Sequence, residues 1–358
     1  MSLARQTSLD FLTSYQAPLE TSIKAIFDEF SEQIPEHSLD TQWALETLHE
    51  YALRPSKRIR GSLAAYTYDT ATRQSQSRDG LRLGAALEFI QNHLLIIDDV
   101  MDRSSMRRGA ATVHELHKNN FSSSAKTSDN AALIVGMLAQ QVSSFALTYL
   151  EAAPATVLNV IQSLHRNVAI TDIGQFDDMH QTVAEAPIPY NDVIRRYQQK
   201  SSYYSFVAPI ESALLLAGKP ADQSQRDARS VGIPAGVAFQ LQDDYIGIFG
   251  DASKTGKHNL DDIHEGKYTM LMHYALQQAN AADIRQLRSI LTNQNAGGSE
   301  LELVRNILKR SGAVEKVYDE MQRYAVDAKN AAHSAMSWNE SYAKYVCTLI
   351  DFVVERAS

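Results

Sequence analysis

The stretch LLIIDDVMDRSSMRRG, residues 94–109, sets four apolar side chains directly before Asp98 and Asp99, with Asp102, Arg107 and Arg108 following. Residues 85–108 contain neither Gly nor Pro, and their apolar side chains recur at three- and four-residue spacing, which predicts an amphipathic helix. On such a helix Asp98 and Asp102 share a face, while Asp99 is turned about 100° away. Carboxylates at that spacing repel by roughly 0.3 kcal/mol even in solvent. Behind an apolar turn the cost is larger. A hard divalent cation removes the conflict, because Mg2+ takes carboxylate and phosphate oxygens. A solvated acidic helix end is the plainer alternative.

Outward from this stretch the same texture recurs. Residues 133–151 predict a second helix and 300–331 one or two more. Ser299-Glu300-Leu301-Glu302, after Gly297-Gly298, has the form of a capping box. No period-two alternation bounded by hairpin dipeptides is visible, so no β-sheet is expected. Loops are expected at 74–80, 117–130, 183–192, 250–267 and 291–299. With only 16 Gly and 9 Pro in 358 residues, long uninterrupted elements are expected. The predicted fold is all-α, a single domain over 1–358.

The net charge of −8 forecasts no dominant basic surface, so nucleic acid is not an expected partner. The one cysteine, Cys347, excludes an intrachain disulfide framework and fits a reducing compartment. The N-terminus has no signal-peptide core and no apolar run approaches a membrane span, so a cytoplasmic location is expected.

A second acidic cluster follows a second helical run. FQLQDDYIGIFGD, residues 239–251, carries Asp243 and Asp244 in a Gly- and Pro-free segment that ends at Gly247. Two such clusters on two helices would suit a diphosphate held through metal ions. RPSKRIRG (54–61), Arg107-Arg108, Lys200, Lys257 and Lys267 supply cations for a second anionic subsite reached without metal.

DDVMD with RRG, FQLQDD with the later GK, and between them KRIRG (57–61), GQFDD (174–178) and KSSYY (200–204) resemble the ordered motifs of the trans-prenyltransferases, the isoprenyl diphosphate synthases. The resemblance implies a bundle of ten or more helices around a central cavity, a homodimer, and three Mg2+ ions. It also implies elongation of an allylic diphosphate with isopentenyl diphosphate. In similar enzymes Lys57, Arg60, Gln91 and Arg108 would bind isopentenyl diphosphate. Asp98, Asp102 and Asp243 would hold the metals. Arg107, Lys200, Gln240, Lys257 and Lys267 would hold the allylic diphosphate, and Ser201, where Thr is usual, would help Lys200 steady the allylic cation. Gln175, Asp178 and Tyr204 match positions near the reacting carbons, and Asp262 an acid of the closing loop. Gly247 departs from the family pattern, which ends its second motif in aspartate. Met137, where many relatives have Asp, is read as a packing residue. His93 and Leu94, one turn before Asp98, would floor the channel for the prenyl tail, which favours a C20 product with C15 next. For His93 a core histidine with a backbone partner is the alternative.

Overall fold

The computed structural model describes residues 3–35, 38–180, 187–250, 260–291, 293, 295–335 and 338–355. They group into two units, Met1–His165 with Pro209–Gln225, and Arg166–Ala208 with Arg226–Ser358.

The first unit is built around α4 (Arg78–Met101), which packs on α1 (Leu3–Ser31), α2 (Leu39–Leu53), α3 (Ile59–Thr72) and α6 (Ala125–Thr148). Ser77 caps α4 by accepting the Gly80 N–H at 3.2 Å. Leu83, Leu87 and Ile90 then bury one stripe of it. α3 crosses α4 at a pair of glycines. A Cβ on Gly84 would lie 2.6 Å from the Gly61 carbonyl, so neither position accommodates a side chain.

The helix predicted over 85–108 stops at Met101. Asp102 closes it, its N–H on the Asp98 carbonyl at 2.8 Å. The chain then turns through a two-stranded antiparallel ribbon, β1 (Met106–Arg107) and β2 (Ala110–Ala111), correcting the expectation of no sheet. Strands of two residues are too short to show alternation. The loop predicted over 117–130 shrinks to 122–124, because α5 (Val113–Phe121) and α6 take the rest. Its polar residues, Lys118 to Asn120, are the exposed face of α5. α6 is long and apolar enough to cross a membrane by length and composition, against the expectation that no such run exists. Here it packs on α4 and α5.

α7 (Pro154–His180), α8 (Tyr190–Tyr197) and a π-helix over Gln198–Val207 lead to α9 (Ala208–Leu216) and α10 (Ala221–Phe249). α10 runs past Gly247, where the helical run was expected to end. In the second unit follow α11 (Asp261–Glu265), α12 (Met270–Gln278), α13 (Ala281–Ile290), α14 (Gly298–Arg310), α15 (Ala313–Ser334) and α16 (Glu340–Val354). α11 and the starts of α4, α8 and α14 lie inside predicted loops. The capping box shifts. Glu300, not Glu302, takes the cap N–H, that of Gly297, at 2.9 Å, while Glu302 pairs with Arg305 at 2.6 Å. The all-α fold is as expected.

Candidate active site

In the first unit, the end of α4 and the β-ribbon separate the two adjacent aspartates. Asp99 is buried, with Oδ1 accepting from Arg107 Nε at 2.7 Å and Oδ2 from the Tyr51 hydroxyl at 3.3 Å. Arg107 Nη2 also reaches Asp98 Oδ2 at 3.4 Å. Burial lowers the Arg107 pKa, but Asp99 and then Asp98 overcome it and hold the guanidinium above its ordinary value. Burial, reinforced by Asp99, pushes the Tyr51 phenol up. The buried carboxylate is thus neutralised by an arginine from the ribbon. Asp98 and Asp102 are half-buried and keep solvent access. Among the described residues no three acidic, His or Cys side chains form a ready cage for a metal. The solvent-accessible Asp98 and Asp102 carboxylates suit Mg2+, which commonly takes one or two carboxylates and completes its shell with water and phosphate oxygens.

Arg108 and Gly109 both adopt left-handed backbone, φ 54° and 77°, as the tight turn between β1 and β2 demands. For Arg108 this costs about 1 kcal/mol. Arg107, on the strand, goes to the aspartates, and Arg108, in the turn, lies in another cluster. There burial lowers the Arg108 pKa, Glu88 opposes the fall, and Arg58 and Arg60 add to it. Arg108 Nη1 is buried without a hydrogen-bond partner among the described residues. Glu88, itself buried, accepts from Arg58 Nη1 at 3.3 Å and from the Gly61 N–H at 3.0 Å. This fixes the start of α3 and with it the buried Arg60. Gln91 lies one turn beyond Glu88, and Lys57 is exposed. A guanidinium donor left open among like charges is what an anion would satisfy.

His93 Nδ1 meets the Gly136 carbonyl at 2.9 Å, and Leu94 beside it is half-buried. The backbone-partner alternative for His93 is therefore present. Met137 is 58% exposed, which corrects the expectation of a packing residue.

In the second unit, the π-helix is gripped by glycines. A Cβ on Gly174 of α7 would collide with the Lys200 backbone nitrogen, and one on Gly236 of α10 with Ser202. From it Lys200 pairs with Asp178, which Arg196 Nε also approaches at 3.3 Å. Burial alone would raise the Asp178 pKa, but Lys200, Lys267 and Arg196 together hold it well below the usual carboxylate range. Lys267 itself pairs with Glu265 at 2.6 Å. Ser201 donates to Gln240 Oε1, and Gln240 Nε2 donates to Asp244 Oδ1 at 2.7 Å. Tyr197 donates to the other Asp244 oxygen and accepts the Met270 N–H at 2.7 Å. Burial, with help from Asp262, lifts Asp244 to about 7 against the Tyr197 and Gln240 bonds. Asp243, Gln175 and Tyr204 are half-buried. Lys257 lies outside the described residues. A cavity of about 390 Å³ opens among Leu241, Tyr245, Val317, Met321 and Val354, and no predicted site residue lines it.

Both acidic clusters follow one rule: one aspartate is buried and partnered (Asp99, Asp244), while another keeps solvent (Asp98, Asp243). Tyr51, Glu88, Arg196 and Tyr197, which help hold the clusters in place, were not singled out by the sequence, whereas Arg58 lies in the basic run over 54–61. Those four carried no signal in the sequence.

Residues 41–308 match the family described as "Polyprenyl synthetase". A farnesyl pyrophosphate synthase from Nezara viridula is 29% identical over 258 residues, 70% of this chain and 61% of that protein. This chain thus spans less than two thirds of that relative. A geranylgeranyl diphosphate synthase from Sulfolobus acidocaldarius is 27% identical over 277 residues, 76% of this chain and 79% of that one. The crystal structure of a geranylgeranyl pyrophosphate synthase from Corynebacterium glutamicum, complexed with isoprenyl diphosphate and magnesium, superposes with a TM-score of 0.87. It is 23% identical and covers 96% of this chain and 99% of its own, which shows the shared all-α fold.

Proposed function

The chain belongs to the polyprenyl synthetase family, and on that premise we propose that it is a short-chain trans-prenyl diphosphate synthase. It joins isopentenyl diphosphate to an allylic diphosphate within one domain over 1–358, with geranylgeranyl diphosphate (C20) as main product. The observation that carries this reading is the split between Arg107 and Arg108. One turns to the aspartates at the end of α4, the next to a basic cluster with an open guanidinium donor. A metal-bound diphosphate and a metal-free one would then each take part of their lining from the first unit. A class I terpene cyclase needs only the first of these.

Asp98 and Asp102 would hold two Mg2+ ions and Asp243 a third, and bound there the ions would supply electrophilic pull on the leaving diphosphate. Arg107, Lys200, Lys257 and Lys267 would take the remaining charge on that diphosphate. Lys57, Arg60, Gln91 and Arg108 would seat isopentenyl diphosphate. Ser201 and Gln240, tied together, would present fixed dipoles where the allylic carbon becomes positive. The attacking double bond then closes the new carbon–carbon bond. The lost proton goes to the departed diphosphate, so no His or Glu base is needed. The apolar run before Asp98 would line the tail channel and exclude water that would trap the cation. A chain with a single cysteine is in keeping with a reducing, cytoplasmic site of action.

The test is incubation with labelled isopentenyl diphosphate, Mg2+ and each allylic primer, followed by chromatography. The expected product from farnesyl diphosphate is C20. Elongation that halts at C15 replaces the product assignment, and release of hydrocarbon without elongation replaces the reaction.

A further inference from the structure

Asn92 on α4 has 0% of its surface exposed, and neither its Oδ1 nor its Nδ2 has a hydrogen-bond partner among the described residues. A buried amide with both ends unmade lowers stability, whereas an apolar side chain of the same shape would not. Packing alone therefore does not account for this residue. Its place on α4 does. Asn92 follows Glu88 by about 6 Å along the helix axis and about 40° around it, and precedes Asp99 by about 10 Å and about 20°. The three buried side chains thus form one stripe. At its start Glu88 holds Arg58 and the Gly61 N–H of α3, and at its end Asp99 holds Arg107 and Tyr51 of α2.

Arg108 falls between those two ends, since burial lowers its pKa against the opposing pull of Glu88 and Tyr51 together. Its Nη1 is an open donor, and Asn92 Oδ1 is the open acceptor of the stripe. One buried water, which commonly has about three polar partners, would complete both. The acceptor is also neutral. A carboxylate at 92 would pair with Arg108 as Asp99 does with Arg107, and cancel the charge that a diphosphate needs.

We propose that Asn92 is a positioning residue for the isopentenyl diphosphate subsite, holding the Arg108 guanidinium through a buried water so that its remaining N–H groups face the diphosphate. This rests on the synthase reading above. A guanidinium carries several N–H groups in a fixed fork, so Nη1 meets the water with one and the anion with the other. Asn92 acts through Arg108 alone.

The test measures isopentenyl diphosphate binding to the full-length protein by calorimetry in EDTA, together with the KM of each substrate in Mg2+. Asn92→Leu removes both ends of the amide and keeps its volume. It is expected to raise the Kd and KM of isopentenyl diphosphate roughly tenfold, the loss of about one hydrogen bond to a charged group. The KM of the allylic diphosphate is expected to stay near wild type, and Tm to hold or rise. Asn92→Ala, which leaves room for the water but gives it no acceptor, is expected to show the same split between substrates, and it decides where Asn92→Leu fails to fold. An unchanged isopentenyl diphosphate Kd, or KM values that rise alike for both substrates, while wild type elongates prenyl chains, overturns this inference and leaves the synthase reading intact. Wild-type protein that neither binds isopentenyl diphosphate nor elongates overturns both.

Discussion

Asp99 sits in the core with its oxygens on Arg107 and Tyr51, whereas Asp98, one residue earlier, keeps 18% of its side chain in solvent. Helix geometry made the different facing of these neighbours legible, since adjacent residues are about 100° apart. The partner of Asp99 was not legible, because nothing in SSMRRG announces a strand pair that swings Arg107 back. Substitution should separate the two roles. Asp98→Ala is expected to lower turnover by orders of magnitude while leaving the melting temperature nearly unchanged. Asp99→Asn is expected to cost about 3 kcal/mol in urea unfolding, the usual loss when a buried ion pair is broken. His93 is held to the Gly136 carbonyl and half-buried. If its ring floors the tail channel, His93→Ala shifts the products to longer chains on chromatography, and an unchanged spectrum leaves it a structural histidine.

Among the elements, the π-helix over Gln198–Val207 was the least legible. QQKSSYYSFV contains no Gly or Pro and shows nothing that separates an i→i+5 ladder from an α-helix. The cause lies elsewhere in the chain, in Gly174 and Gly236, which admit the wider turn against α7 and α10. By contrast the helices bearing the two acidic motifs were legible, because each is long and buries a stripe. Gly174→Ala is expected to destabilise by about 1–3 kcal/mol, the range for overpacking. It should also raise KM for the allylic diphosphate, since its Cβ meets the backbone that carries Lys200. Calorimetry and steady-state kinetics on one preparation check both.

At the scale of the whole molecule, the acidic balance of −8 hides a half-buried carboxylate that depends on cations. Asp178 is held below the usual range in the folded chain, so near pH 4 the unfolded chain binds more protons there. Its contribution is full above about pH 4 and is lost as pH falls through the folded value. Asp178→Asn is therefore expected to flatten the acid limb of a Tm-versus-pH profile between pH 5 and about 3, and to lower Tm at neutral pH by leaving Lys200 and Arg196 less compensated. The left-handed Arg108 bears on the molecule as an object of selection. A library sorted only for survival on heating is expected to enrich Gly or Asn there, relieving about 1 kcal/mol of backbone strain. The winners of that sort should be sturdier proteins and poorer catalysts.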